Sequence, residues 1–175
     1  MHWGYVYKDS QMERNTDHYS IPSGTRIGHV HLKVSHLQRS IDFYCGLLGF
    51  ELVTTYGADA AFVSAGGYHH HIGLNVWYSK DAPPAPRDTA GLFHVAILYP
   101  TRKDLANILQ RLIDNGIRFG ASDHGVSEAI YLNDPDENGL ELYCDRPREE
   151  WPLKADGSVD MYTRPLDLEG LLKER

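Results

Sequence analysis

The chain writes one pattern twice, and this repeat constrains its fold more than any other feature. A short β-branched run that holds a histidine, GHVHLKV, recurs further along as FHVAILY. Apolar residues at helical spacing follow each run, over 37–48 and 102–114. Gly49 and Gly116 then follow the two helices, at the position where a C-terminal cap in the left-handed conformation is expected. The repeat therefore predicts two copies of one supersecondary unit.

Each half continues with three predicted strands, which are short, rich in apolar residues and bounded by turn residues. The predicted strands are 50–56, 60–64 and 70–78 in the first half, and 117–120, 128–132 and 140–144 in the second. The last strands also match each other, because GLNVW in the first half corresponds to GLELY in the second. The unit is therefore βαβββ.

These elements predict an α+β fold in which two βαβββ modules pair into one cupped mixed sheet with the helices outside. A single domain is expected over 26–147, with modules at 26–79 and 91–147 and a proline-rich linker at 80–90. Residues 1–25 are interpreted as an N-terminal arm and 148–175 as a C-terminal extension, and neither receives a role.

Strand alternation predicts which side chains face the inside of the cup. In the first strand the apolar residues face the helix, whereas His29 and His31 face the opposite side. In the last strand Glu141 faces away from its apolar neighbours Leu140 and Leu142. A carboxylate inside an apolar strand is costly unless a cation or hydrogen bonds satisfy it.

A divalent metal site is the hypothesis that best explains these polar residues. His29 and His94 hold equivalent positions in the repeat, and Glu141 closes the second module. Two imidazoles and one carboxylate leave open positions on an ion, as in non-haem Fe(II) oxygenases. A lone histidine or glutamate in a strand is more often an ordinary core or surface residue. The matched positions nevertheless favour the metal site.

Charge and composition exclude several other functions. The net charge of −7 is spread along the chain, which disfavours a nucleic-acid partner because phosphates require a basic face. The sequence holds no apolar run long enough for a membrane span, and its start lacks the apolar core of a signal peptide. Cys45 and Cys144 are the only cysteines, so no disulfide framework is implied. We therefore expect a cytoplasmic protein with no membrane partner.

At these residues the sequence resembles the vicinal oxygen chelate superfamily, which includes glyoxalase I, extradiol dioxygenases and bleomycin or fosfomycin resistance proteins. The segments IGHVHLKVSHLQRSIDFYCGLLGFELV and AIYLNDPDENGLELYCDRP carry the resemblance, which covers 26–147. The resemblance implies that the metal ligands are His29, His94 and Glu141. His31 is the competing candidate in the first strand, and the motif position favours His29.

Asn75 indicates which branch of this superfamily the chain is similar to. Members with four protein ligands, such as glyoxalase I, end each module on a carboxylate, whereas here Asn75 stands where the second module has Glu141. Three ligands are typical of the dioxygenase branch, and GGYHHHIGLNVW and FHVAILYPTR resemble the catechol 2,3-dioxygenase group. The resemblance implies extradiol ring cleavage of a small aromatic diol with O2. The expected metal is Fe(II), with Mn(II) as the alternative.

The same resemblance implies catalytic roles for His70, His124 and Tyr131. His70 is expected to act as base and then as acid, Tyr131 to donate a hydrogen bond, and His124 to orient a substrate oxygen. Strand alternation counted back from Asn75 would instead turn His71 into the cup, so both histidines remain candidates. Three aromatic side chains are expected to line the cup: Phe62, Trp77 and Tyr143.

Two other functions fit the same fold. A glyoxalase-like isomerase requires a fourth protein ligand, which Asn75 does not supply well. A non-catalytic resistance protein that binds small molecules typically lacks the ligand triad that this chain keeps. Catechol 2,3-dioxygenases commonly carry four modules, and this chain carries one pair. Loss of a partner pair would expose apolar sheet, so a homodimer is expected.

Overall fold

A computed structural model describes residues 19–175 of the chain. Residues 1–18, which make up most of the predicted N-terminal arm, lie outside the described residues. The α+β class and the two βαβββ modules are confirmed, because the same order of elements occurs twice between Val30 and Asp145.

The first module holds four strands and one helical segment. Its elements are β1 (Val30–Lys33), α1 (Leu37–Ile41), a π-helical continuation (Asp42–Leu47), β2 (Glu51–Tyr56), β3 (Ala60–Ser64) and β4 (Ile72–Asn75). The strands lie in the order β1-β4-β3-β2, and β1 is parallel to β4. The connection between the parallel strands β1 and β4 therefore runs through the helix and the β2–β3 hairpin.

The second module repeats this topology and is followed by the C-terminal extension. Its elements are β5 (Val95–Leu98), α2 (Arg102–Asp114), β6 (Gly120–Asp123), β7 (Ser127–Asn133) and β8 (Gly139–Asp145). The order is β5-β8-β7-β6, with β5 parallel to β8. The extension contains a 3-10 turn (Arg148–Glu150) and α3 (Leu168–Leu172).

The structure matches the predicted helix 102–114 and the predicted strand 60–64, but the predicted strand 117–120 is wrong. That strand begins only at Gly120, because the chain first closes α2. Gly116 adopts φ +64°, and the N–H of Ile117 donates to the carbonyl of Leu112 at 2.9 Å. This is a Schellman cap, and Ile117 packs against the core as its apolar contact.

One hydrophobic core joins the two modules. It includes Tyr44 and Leu74 from the first module and Leu109 and Leu142 from the second, all fully buried. The buried face of α2 supplies residues at helical spacing, namely Leu105, Ala106, Ile108, Leu109 and Leu112. The helices therefore cover one face of the sheets and leave the opposite face to the polar residues.

Polar contacts fix the junction between the modules at the turn between β7 and β8. The Tyr44 hydroxyl donates to the Asp134 carboxylate at 3.0 Å. Asp136 accepts hydrogen bonds from Ser35 and Arg39, each at 2.6 Å. Within residues 19–175 each module keeps its own four-stranded sheet, and a cleft of about 570 Å³ is lined by residues of both β1 and β5.

Among the residues that the structure describes, no helix combines the length and the apolar character that crossing a bilayer requires.

The core predicts that Leu109→Ala is strongly destabilising. Leu109 is fully buried on α2, so the truncation removes apolar contacts and leaves a cavity. The free energy of unfolding should fall by about 2–5 kcal/mol, measured by urea denaturation with an unchanged m-value. Ile113→Ala, on the same helix at 42% exposure, is the matched control and should cost less than about 1 kcal/mol. Equal losses for the two variants would contradict this placement of the core.

Candidate active site

His94 and Glu141 lie in contact in the second module. His94 comes directly before β5, and Glu141 lies in β8 opposite Ala96. The His94 Nε2 atom lies 2.9 Å from the Glu141 Oε2 atom, and the glutamate side chain is only 14% exposed. Gly139 makes this approach possible, because a Cβ there would lie 2.3 Å from the carbonyl oxygen of Phe93. The glycine therefore allows the start of β5 to lie against β8.

A chain of hydrogen bonds continues from Glu141 through Tyr131 to His124. Tyr131 lies directly across from Glu141 in the β7–β8 ladder, and its hydroxyl is 2.9 Å from Glu141 Oε1. The same hydroxyl is 2.6 Å from His124 Nε2. Burial and the neighbouring Glu141 raise the pKa of Tyr131 well above its ordinary value. The phenol therefore stays protonated and available as a hydrogen-bond donor.

The structure brings four of the six predicted site residues together, and the other two lie in the first module. His29 and His70 form their own cluster, with ring centroids 4.4 Å apart. His69 Nδ1 lies 2.7 Å from His70 Nδ1, and Phe62 packs 5.0 Å from the His70 ring. Burial, and then the neighbouring imidazoles, lower the pKa of His70. This cluster is therefore a surface of imidazole and aromatic rings in the first module, separate from the His94–Glu141 pair of the second.

His70 rather than His71 lies on the side of His29. The His71 Nδ1 atom instead lies 3.0 Å from the Ser64 hydroxyl and accepts from the N–H of Ala65. β4 begins only at Ile72, so strand alternation does not extend back to the histidines. The predicted strand 70–78 was too long at both ends, and this explains why alternation and motif disagreed.

His31 and Asn75 have structural surroundings of their own. The His31 ring lies over Gly73, where a Cβ would come within 2.9 Å of it, and 5.7 Å from the Trp77 ring. Asn75 is buried, and its side-chain oxygen accepts the N–H of Trp77 at 3.2 Å. Asn75 thus stabilises the turn after β4. Gly73 and Gly139 hold matching positions in the repeat, and each makes room for a histidine ring or its backbone. This matched pair of glycines is the sequence signal that could have identified the two close approaches.

The His94–Glu141 pair fits a shared metal ion, although the complete triad does not converge in the described structure. Two ligand atoms at about 2.1 Å from one ion and at right angles lie about 3 Å apart, which is close to the observed separation. The other ring nitrogen of His94 is buried without a hydrogen-bond partner. Among residues 19–175, no group of three His, Cys, Asp or Glu side chains is close enough to hold an ion. His29 is the predicted ligand that stands apart.

Comparison with known proteins assigns the sequence to a family. The sequence profile of the Glyoxalase/Bleomycin resistance protein/Dioxygenase superfamily matches residues 26–142. The chain belongs to this superfamily. The resemblance inferred from the two module motifs is therefore confirmed.

Two curated relatives carry dioxygenase names. The chain is 42% identical over 156 residues to the catechol-2,3-dioxygenase of Bacillus subtilis (strain 168), a match that covers 89% of this chain and 54% of that protein. It is 31% identical over 121 residues to biphenyl-2,3-diol 1,2-dioxygenase 3 of Rhodococcus globerulus, covering 69% of this chain and 63% of that protein. The chain thus spans between about half and two thirds of the length of these relatives.

A solved structure shows the same fold. A glyoxalase/dioxygenase from Nostoc punctiforme superposes with a TM-score of 0.59 at 18% identity, over 74% of this chain and 98% of that protein. At this identity the likeness concerns the fold alone. It agrees with the paired βαβββ modules described above.

Proposed function

We propose that the chain is a metal-dependent extradiol ring-cleaving dioxygenase that acts on a catechol-type aromatic with O2. The observation that carries the proposal is the His94–Glu141 pair, joined through Tyr131 to His124. The names of the two dioxygenase relatives support the same reaction class. A glyoxalase-like isomerase is less well supported, because the Asn75 oxygen is already bonded to the N–H of Trp77.

His94, Glu141 and His29 are the proposed metal ligands, with Fe(II) as the expected ion and Mn(II) as the alternative. The first two already lie at a separation that suits one ion, and His29 would have to approach them. When bound, the ion would supply Lewis acidity that makes a catechol hydroxyl more acidic, and open positions at which substrate and O2 meet. The remaining chemistry falls to the side chains around it.

Proton transfer and orientation of the substrate are the proposed roles of three side chains, Tyr131, His124 and His70. Tyr131 keeps its proton because its pKa is raised, so its hydroxyl can donate to a substrate oxygen. His124 Nε2, at 2.6 Å, fixes the direction of that hydroxyl. His70 has a lowered pKa and is neutral near pH 7, which suits it to accept a catechol proton. Phe62, against the His70 ring, offers a flat apolar surface to an aromatic ring.

Oxygen consumption tests the proposed reaction. Protein purified anaerobically and reconstituted with Fe(II) should consume one O2 for each catechol and give a yellow ring-cleaved product. Oxygen electrode traces and product absorbance measure both quantities across a panel of catechols. Resorcinol, whose hydroxyls are not adjacent, is the matched control and should give no uptake. The reaction class is wrong if neither Fe(II) nor Mn(II) reconstitution supports uptake with any catechol.

Metal content tests the ligand assignment separately from turnover. His94→Ala should lose bound metal while the circular dichroism spectrum and melting temperature stay close to wild type, since the His94 side chain is 30% exposed and lies outside the hydrophobic core. His29→Ala should also lose metal if His29 completes the triad. His36→Ala, which changes an exposed histidine in contact with Asp81, should keep it. Metal retained by His94→Ala after dialysis would refute the site, and metal retained by His29→Ala would refute the third ligand.

A homodimer is part of the same proposal. Ile27 and Phe93, which precede β1 and β5, are 91% and 88% exposed, and the outer edges of both strands have no strand partner within residues 19–175. A second copy of the chain is proposed to cover these edges, because one copy spans only about half of the B. subtilis relative.

Light scattering should give twice the chain mass, and Phe93→Glu should shift the measured mass toward that of the monomer. Leu153→Glu, an exposed apolar position elsewhere, is the control. A wild-type monomer at high concentration would exclude the dimer.

A further inference from the structure

The C-terminal extension packs tightly on the second module. Leu171 of α3 is fully buried against α2, and Glu174 forms an ion pair with Arg102 at 2.8 Å. At the other end of the extension, the Trp151 indole N–H donates to the carbonyl of Arg146 at 2.8 Å. The extension is therefore anchored at both ends, so the segment between them is held in place.

The middle of the extension pairs with the end of β6. Asp123 and Arg164 exchange two backbone hydrogen bonds, of 2.8 and 2.9 Å, in an antiparallel bridge. The N–H of Tyr162 adds a third, to the carbonyl of His124 at 3.3 Å. Gly125, at φ +77°, lies so close to the Tyr162 ring that a Cβ would come within 2.7 Å. These contacts hold Tyr162 directly against His124.

The carbonyl oxygen of Tyr162 lies 2.9 Å from His124 Nδ1. A carbonyl can only accept a hydrogen bond, so this contact requires a proton on Nδ1. The Thr163 hydroxyl oxygen lies 3.3 Å from the same nitrogen, and a hydroxyl suits either direction of hydrogen bond. The opposite tautomer would place the Nδ1 lone pair against the carbonyl lone pairs. In a ring that carries one proton, Nε2 is therefore unprotonated.

This tautomer determines what the Tyr131 hydroxyl can do. Tyr131 has one proton and two neighbours that accept it, His124 Nε2 and Glu141 Oε1. With Nε2 unprotonated, the ring donates nothing to the phenol oxygen, which keeps a lone pair free, and the phenol proton remains available to an acceptor. With Nε2 protonated, the ring would donate to the phenol oxygen and occupy that lone pair.

We propose that the C-terminal extension belongs to the active site, because the Tyr162 carbonyl fixes the Nδ1–H tautomer of His124 and so presents Nε2 to Tyr131. Tyr162 is thus a positioning residue that acts through its backbone. The inference rests on the proposed dioxygenase function for its consequence in turnover. The tautomer itself is independent of that function, since it follows from hydrogen bonds in the metal-free protein.

Nitrogen NMR on the full chain labelled with nitrogen-15 histidine tests the tautomer directly. Long-range proton–nitrogen spectra of the metal-free protein should show His124 as a single Nδ1–H form, assigned by its disappearance in His124→Gln. Arg164→Pro removes one of the two backbone bonds that anchor the extension and should give His124 the averaged shifts of a free imidazole. Arg164→Ala is the matched control, because it removes the side chain, keeps the N–H and should leave the spectrum unchanged.

Turnover then separates a positioning role from simple stability. In the Fe(II)-loaded protein, Arg164→Pro should lower kcat by about 10- to 100-fold, as loss of supporting hydrogen bonds around a site typically does, with bound metal and KM near wild type. Wild-type His124 in the Nε2–H or averaged form overturns the proposal, even if Arg164→Pro does not fold. A folded Arg164→Pro with a wild-type spectrum and kcat does so too. A fixed tautomer without oxygen uptake by wild type would refute the proposed function alone.

Discussion

A partly buried carboxylate inside an apolar strand is the constraint on which the second module depends. Glu141 lies between Leu140 and Leu142, and a charge in that position is tolerated only when partners compensate for lost hydration. Strand register supplies them, because β5 brings His94 to one carboxylate oxygen and β7 brings Tyr131 to the other. The site is therefore a consequence of sheet pairing, and its residues lie far apart in the sequence yet meet through three adjacent strands.

The first module shows what the same unit does without that charge. Asn75 occupies the position equivalent to Glu141, and a neutral amide needs only the N–H of Trp77 as a local partner. The histidines of this module pack against aromatic rings. Burial and the neighbouring imidazoles lower the pKa of both His31 and His70. The same βαβββ unit thus carries a carboxylate–imidazole pair in the second module and a cluster of imidazole and aromatic rings in the first.

Much of this arrangement could be predicted from the sequence, because it follows from local periodicity and from matched positions in a repeat. The helix 102–114 and the grouping of His94 with Glu141 are of this kind. The π-helical stretch Asp42–Leu47 and the later start of β6 were not predicted, since both depend on how a helix end closes against the core. The carbonyl of Tyr162 was also missed, because every residue carries a carbonyl and the sequence gives no sign of which one reaches a site. The separation of His29 from His94 depends on how the modules pack, which no local pattern encodes.

One polar contact between the modules lies close to the site in the chain. Asp134 accepts the Tyr44 hydroxyl and also the N–H groups of Asp136 and Asn138, so one carboxylate both shapes the β7–β8 turn and ties it to the first module. Burial and the neighbouring Asp134 raise the pKa of Tyr44, so the phenol remains a donor. That turn leads directly into β8, which carries Glu141. The polar contact between the modules therefore lies on the turn that leads into the strand of the carboxylate, so the junction and the site share one stretch of chain.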